Sequence, residues 1–365
     1  MALLLVNEGT YTGSGVGRAI TISDYQSIVI PQLVIVVRSD GNALAGNVQH
    51  CWRATGMTDS IAGFLSLITT GITALSVGGF FVGTHDSVNK NGDTYYWLAL
   101  ANIDEFGERS VEALEVGSYT GNGVDNRNIT ITLTSPDFVW VRAIKNNYED
   151  VWRFSGSPGG DNSALRPSNN FNNADGIQAI GTNTFQVGTH GYVNEDTTAY
   201  TYVAMKAKTG SLAYGTYDGN GVDNRDIVMS DAFRPQAVLV KGGVDPGDPV
   251  LKTTSITGDA AKPFDDFGDA VPDSSIQADM IQAINSNGFQ VGSGVGTIGG
   301  FTNKPISGPT TFTYQYLAFL SDLFVGPPTF NPGPYSVYID PTTPYTQYKS
   351  QVAISERLRM LRLGN

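Results

Sequence analysis

The stretch Gly117-Ser118-Tyr119-Thr120-Gly121-Asn122-Gly123-Val124-Asp125-Asn126-Arg127 returns as Gly215-Thr216-Tyr217-Asp218-Gly219-Asn220-Gly221-Val222-Asp223-Asn224-Arg225. A shorter copy, Gly9-Thr10-Tyr11-Thr12-Gly13-Ser14-Gly15-Val16-Gly17-Arg18, stands near the start. The copies are roughly 100 residues apart, the size of one small all-β domain and too long for a solenoid repeat. Other marks keep the same step: Val37-Arg38, Val141-Arg142 and Val240-Lys241; Trp52-Arg53, Trp152-Arg153 and Leu251-Lys252; Phe80 to Gly83, Phe185 to Gly188 and Phe289 to Gly292. Each unit closes on an aromatic stretch, Tyr95 to Ala99, Tyr200 to Ala204 and Tyr314 to Ala318. The chain therefore reads as three like domains in a row.

Working outward from the glycine motif, β-branched and aromatic residues mark the strands. Ile20-Thr21-Ile22 is matched by Ile129 to Leu133 and by Ile227 to Met229. A buried strand follows in each unit, Gln32 to Arg38, Asp137 to Arg142 and Gln236 to Lys241, led by Pro31, Pro136 or Pro235 at a position where proline costs no ladder bond. A polar middle of about 30 residues differs most between copies, which is where specificity sits on a fixed frame. The polar loop after Phe-x-Val-Gly is expected to join two antiparallel neighbours. Short strands without intervening helices predict an all-β protein of three tandem antiparallel β-sandwich repeats with jelly-roll topology. Their limits are 1–101, 117–205 and 215–325, with linkers at 102–116 and 206–214 short enough to give a compact trio.

Residues 326–365 differ in character. Pro327-Pro328, Pro332-Gly333-Pro334-Tyr335 and Pro341-Thr342-Thr343-Pro344-Tyr345 predict an extended arm. Its end, Lys349 to Leu363, predicts one short amphipathic helix with Ile354, Leu358 and Leu361 on a face and Arg357, Arg359 and Arg362 beside it. With Tyr335 and Tyr345, these are the residues expected to anchor the chain to a partner.

Composition excludes several classes. A formal net charge of −12 argues against phosphate-backbone binding, which rests on lysine and arginine releasing counterions. The single cysteine, Cys51, excludes an intrachain disulfide framework and a Cys-based metal site. Met1-Ala2-Leu3-Leu4-Leu5-Val6 lacks the basic n-region of a signal peptide and reads as a first strand. No apolar run approaches the ~20 residues of a membrane span. The product is accordingly expected to fold in a cytoplasm.

The sharpest polar motif is the pair Asp125-Asn126 and Asp223-Asn224. Such residues beside glycine backbone suit a sugar or a hard cation such as calcium, and they equally stabilise turns, with Arg127 and Arg225 placed to hold the aspartates. The first unit lacks the pair, which favours the turn role. His85 and His190 share a Val-Gly-Thr lead and are expected to cap or pair near a strand end. His50 and Cys51, as strand neighbours, point to opposite faces and form no thiol–base pair. Asp265, Asp266, Asp269 and Asp273 have the composition of a glycosidase carboxylate set but no matching residues in the other units, and read as a solvated loop. Gly-x-Ser-x-Gly, P-loop and His-Glu-x-x-His motifs are absent, and Val291 to Gly296 opens no helix. No catalytic set, cofactor or metal is expected.

The glycine motif, the proline-led strand, the Trp-Arg strand, Phe-Gln-Val-Gly and the aromatic closing strand together resemble a repeat domain of bacteriophage virion proteins, of tail or minor structural type. The resemblance covers about 320 residues in three copies and implies lectin-like, concanavalin-type β-sandwich modules in a virion component present in multiple copies. The expected function is that of a non-enzymatic tail-fibre or appendage protein, anchored to other virion proteins by its C-terminal arm. Host-surface polysaccharide is the expected ligand, through aromatic and amide side chains such as Asn169 to Asn173 and Tyr192. A capsid decoration protein is the alternative, and a polysaccharide-degrading enzyme the second alternative.

Overall fold

The structure is a computed structural model that describes residues 3–23, 29–39, 49–63, 66–104, 110–157, 161, 164–166, 172–242, 248–264, 275–293, 302–304 and 312–322. The expectations for the arm, including Tyr335, Tyr345, Ile354, Arg357, Leu358, Arg359, Leu361 and Arg362, lie outside the described residues. So do those for Asp265, Asp266, Asp269, Asp273 and Asn169 to Phe171. Among the described residues there are 26 strands and two single-turn helices, all strand pairs being antiparallel.

The first repeat shows the pattern. Its strands are β1 (Leu3–Thr12), β2 (Arg18–Thr21), β3 (Leu33–Arg38), β4 (His50–Ala54), β5 (Ser60–Ala62), β6 (Ser66–Ile68), β7 (Ile72–Ser76), β8 (Gly79–Val82) and β9 (Thr94–Ile103). A large sheet runs β1-β9-β3-β4-β5-β6, and a small one runs β2-β8-β7. The second repeat repeats this order with a six-stranded and a three-stranded sheet, and the third with a five-stranded and a three-stranded sheet. Opening strands start at Leu114 and Leu212, a few residues ahead of the glycine motif.

Within each repeat the two sheets share one apolar core. Ile20, Phe80 and Val82 of the small sheet cluster with Val34, Val36, Tyr95 and Trp97 of the large one. Ile129, Phe185 and Val187 meet Val139, Val141 and Tyr200, and Ile227, Phe289 and Val291 meet Val238, Val240 and Tyr314. The loop from β8 to β9 thus passes between sheets and does not join ladder neighbours, contrary to the sequence expectation, because Phe80 and Tyr95 must face each other across that core. It also holds a single-turn helix, Asp86–Asn89, matched by Gly191–Asn194 in the second repeat.

The strand Leu33–Arg38 is apolar at every position but its last because both its faces are covered. Val34 and Val36 point into the repeat's own core, while Leu33, Ile35 and Val37 enter a second cluster shared by all three repeats. Phe138 and Trp140, then Ala237 and Leu239, make the same outward contribution. Trp52, Trp140 and Trp152 meet there, with ring centroids 4.1 Å and 5.3 Å apart along the series. Truncating one such buried tryptophan to alanine costs about 3–5 kcal/mol.

Polar contacts close the three repeats into a ring. Between repeats one and two, Trp52 Nε1 donates to Asp150 Oδ2 at 3.1 Å and Leu67 N–H to Asn146 Oδ1 at 2.8 Å. Between two and three, Gly156 N–H donates to Tyr214 Oη at 3.0 Å, and Phe154 stacks on Tyr214. Between three and one, His50 stacks on Phe264 and Ser255 N–H donates to Glu8 Oε2 at 3.1 Å. Leu4 and Asp322 exchange backbone and side-chain hydrogen bonds at 2.8 and 2.7 Å. Residues 1–326 accordingly form one compact unit.

Candidate functional site: the glycine loops and their surroundings

The glycine motif builds one device three times. Tyr119 stacks on Tyr200 with centroids 5.0 Å apart, and its hydroxyl donates to the Val193 carbonyl at 2.5 Å. Tyr11 with Tyr95 and Tyr217 with Tyr314 stack likewise at 5.2 and 5.3 Å. Burial pushes Tyr11, Tyr119 and Tyr217 well above the ordinary phenol range, so all three stay neutral. The loop then crosses the chain so closely that a Cβ at Gly121 would lie 2.0 Å from the Glu195 carbonyl oxygen. Gly13 and Gly219 meet Lys90 O and Lys304 O in the same way, at 2.0 and 2.2 Å.

A buried asparagine clamps each loop. Asn194 Nδ2 donates to the carbonyls of Val124 and Gly188 at 2.8 and 2.9 Å, and its Oδ1 accepts from Asn122 N–H and Arg127 Nη1 at 3.1 and 3.2 Å. Asn303 does the same for Val222, Gly292, Asn220 and Arg225, and Asn89 for Val16, Gly83 and Ser14. Gripping the valine carbonyl leaves the side chains of Val16, Val124 and Val222 outside, 68%, 58% and 56% exposed. An apolar side chain is thus displayed at the same point of all three repeats.

Asn126 and Asn224, at φ 57° and 56°, take the left-handed conformation that asparagine tolerates. Asp125 accepts from the backbone and side-chain amides of Asn126, both at 2.8 Å, and Asp223 does so for Asn224 at 2.8 and 2.7 Å. The arginine does not hold the aspartate, contrary to expectation. Arg127 donates to the Thr120 carbonyl at 2.6 Å and lies over Tyr119, because the stacked tyrosines and Asn194 fix its place. The partner of each aspartate is a glutamine instead, Gln178 Nε2 at 2.9 Å from Asp125 and Gln282 Nε2 at 2.8 Å from Asp223.

Tyr192 lies half-buried on the single turn Gly191–Asn194 in a cluster found in the second repeat. Its ring is 5.6 Å from Tyr148 and 4.6 Å from His190, with the Arg166 guanidinium 6.0 Å from its centroid. Tyr148 Oη donates to Glu195 Oε2 at 2.7 Å, and Lys145 and Thr198 converge on the same oxygen, each at 2.7 Å. Those bonds hold the Glu195 carboxyl down to about 2, so it is anionic across the physiological range. Two tyrosine faces beside a fixed carboxylate and two cations offer a polar ligand both stacking surface and hydrogen-bond partners.

His85 and His190 cap the single-turn helices, Nδ1 accepting from Ser87 N–H at 3.2 Å and Tyr192 N–H at 3.1 Å. Burial lowers both imidazoles below their ordinary value. His50 and Cys51 diverge as expected, His50 stacking on Phe264 and Cys51 entering the first repeat's core. Burial pushes the Cys51 thiol up to about 11, which leaves it a poor nucleophile. Asp150, fully buried beside Arg142 at 3.5 Å, is pushed up by burial to about 7 against the opposing pull of Arg142 and Trp52. Among the described residues no three His, Cys, Asp or Glu side chains converge to hold a metal ion, and no helix is long and apolar enough to cross a membrane.

Three sets of residues escaped the sequence reading: Asn89, Asn194 and Asn303; Gln178 and Gln282; and Tyr148. A signal for the first existed in Thr84-His85-Asp86-Ser87-Val88-Asn89 and Thr189-His190-Gly191-Tyr192-Val193-Asn194, where Val-Asn recurs at the same offset. No protein-family model matches the chain, and no curated protein matches it.

Proposed function

We propose that this chain is a non-enzymatic structural protein of a bacteriophage virion. In this reading it is a tail-fibre or appendage component made of three lectin-like β-sandwich repeats of jelly-roll type. It binds host-surface glycan through the Tyr148 and Tyr192 end of the second repeat, and its C-terminal arm holds it to the particle. The observation that carries the ligand reading is the Tyr148–Tyr192–His190 cluster with Arg166 and Glu195 beside it, at the rim of a clamped loop. Aromatic faces take up the apolar side of a sugar ring, and the fixed carboxylate accepts its hydroxyls. A ring of repeats with one shared core supplies the rigid support that such a site needs.

A glycan array probed with the purified chain tests the ligand. Retention on a bacterial surface polysaccharide, abolished by Tyr192→Ala with Tyr148→Ala, supports the reading; retention unaffected by the double variant removes the cluster from it. Antibody labelling of assembled particles in the electron microscope tests the location, with label on the tail expected. Deletion of 330–365 is expected to abolish incorporation. The decoration alternative draws on Val16, Val124 and Val222, three exposed apolar tips at equivalent points, which suit adhesion to a neighbour; label spread over the head would favour it.

A further inference from the structure

We propose that Glu195 is the specificity-determining residue of the Tyr148–Tyr192 cluster, and that the cluster takes neutral polysaccharide and rejects polysaccharide bearing carboxylate or phosphate. This rests on the glycan reading of the cluster and names the class of glycan. The first support is the charge already in place. Lys145 Nζ lies 2.7 Å from Glu195 Oε2 and Arg166 Nη1 lies 3.6 Å from Glu149 Oε2, so each cation beside the two tyrosines faces a carboxylate of the protein. The same cations lie over the rings, Lys145 at 4.6 Å from the Tyr148 centroid and Arg166 at 6.0 Å from that of Tyr192. An acidic sugar stacked there would have to displace one of these pairs and would meet the released carboxylate, on a chain whose formal net charge is −12. A neutral sugar breaks no pair. The donors Lys145, Tyr148 and Thr198 all reach Glu195 Oε2, each at 2.7 Å, which leaves Oε1 to accept from a ring hydroxyl.

The second support comes from the other repeats. Glu195 directly follows the clamp Asn194, and the residues that follow Asn89 and Asn303 are Lys90 and Lys304. In all three repeats the backbone N–H at this position donates to the hydroxyl of the stacked tyrosine: Lys90 to Tyr95 at 2.7 Å, Glu195 to Tyr200 at 2.7 Å and Lys304 to Tyr314 at 2.9 Å. The frame therefore accepts a lysine here as readily as a glutamate, and the carboxylate answers a need other than folding. Tyr192 is an addition of the same kind, since two residues after the capping His85 the first repeat has Ser87, buried beside the cap. Leu165 pairs with Trp152 as Ile61 pairs with Trp52, which puts Ala62 at the place of Arg166. An aromatic face, a cation and an inverted charge thus arrive together in the second repeat, on a cap, clamp and tyrosine stack that the first repeat keeps without them.

The test is a panel of neutral and of uronate- or phosphate-bearing bacterial polysaccharides, probed with the purified full chain at about 50 and about 500 mM sodium chloride. Wild type is expected to retain neutral polymer with less than about a twofold change in affinity between the two salts, since no ion pair forms with the ligand. Glu195→Lys, which places here the residue that the other two repeats carry, is expected to keep the melting curve, to weaken neutral polymer, and to gain at least about tenfold for acidic polymer at the lower salt alone. Glu195→Gln keeps an acceptor without the charge and should hold neutral polymer within about threefold while losing the rejection of acidic polymer. A wild-type preference for acidic polymer that disappears at the higher salt, or a folded Glu195→Lys whose neutral-to-acidic ratio is unchanged, would overturn the assignment and leave the glycan reading standing. Retention of no polysaccharide at all would overturn the glycan reading of the cluster and this assignment with it.

Discussion

Trp52 in the first repeat donates its indole N–H to the fully buried carboxylate of Asp150 in the second, at 3.1 Å. The bond crosses a repeat boundary inside the shared core, where Trp140 packs 4.1 Å from Trp52. Trp52→Phe keeps most of the apolar ring but removes the donor. It is expected to destabilise the chain by about 1–3 kcal/mol, read from urea unfolding followed by far-ultraviolet circular dichroism.

Leu33, Ile35 and Val37 face the other repeats as completely as Val34 and Val36 face their own, so the central strand of the first repeat has no solvated face. Calorimetry is expected to show one unfolding transition for the three repeats. A fragment of residues 1–104 is expected to aggregate or remain unfolded, since its outward apolar face would be wet. Three separate transitions, or a soluble folded fragment, would contradict the shared core.

Asn194→Ala removes the group that bonds Val124 O, Gly188 O, Asn122 N–H and Arg127. The expected loss is about 2–4 kcal/mol, since at least one carbonyl is left buried and unpaired. Asn303→Ala should match it, and Asp125→Asn should cost no more than about 0.5 kcal/mol because Asp125 is exposed. Equal effects at Asn194 and Asp125 would refute the clamp.

Gly121→Ala introduces a Cβ 2.0 Å from the Glu195 backbone oxygen, a contact relieved only by moving the chain. It is expected to lower thermal stability by at least about 2 kcal/mol, beyond an ordinary overpacking change. Gly210, where nothing lies within 4 Å but φ is +80°, should show only the smaller cost of its backbone conformation on the same substitution. Melting curves of the two variants give the comparison.

Burial and the neighbouring Lys262 pull the His50 imidazole down to about 3 from its ordinary 6.5. The unfolded chain takes up this proton from about pH 6.5 downwards while the folded chain refuses it. The stabilisation from a neutral His50 is therefore complete above that pH and is lost as pH falls towards about 3. His50→Phe keeps a ring against Phe264 without the proton. Wild type should lose more melting temperature than the variant between about pH 7.5 and 4.5. Asp150, pushed up to about 7, has the opposite slope but is common to both proteins and cancels in the comparison.

Much of the strand pattern was legible because it is a local property. Alternation and proline placement located Leu33–Arg38, Phe138–Ala143 and Ala237–Gly242, and the apolar run ending at Val6 read as a strand, seen as Leu3–Thr12. The crossing from Phe80 to Tyr95 was misread, since a polar loop of that length looks the same whether it turns within one sheet or passes to another. Gln178 was invisible for a related reason: its partner Asp125 is 53 residues away, and only the fold brings the two together. Tyr148 sits in the variable middle section, where no repeat echo marks it.

The sequence by itself determined that the chain is threefold, all-β and threaded on a glycine–tyrosine motif, because a repeat is written in the order of residues and needs no folding to be seen. Tertiary structure alone decided that Arg127 serves Thr120 and Asn194 in place of Asp125, and that the outer faces of the three large sheets are one core. Those facts depend on which surfaces meet. A strand such as Leu33–Arg38 displays its two faces equally in one dimension, and only packing assigns one to its own repeat and the other to its neighbours.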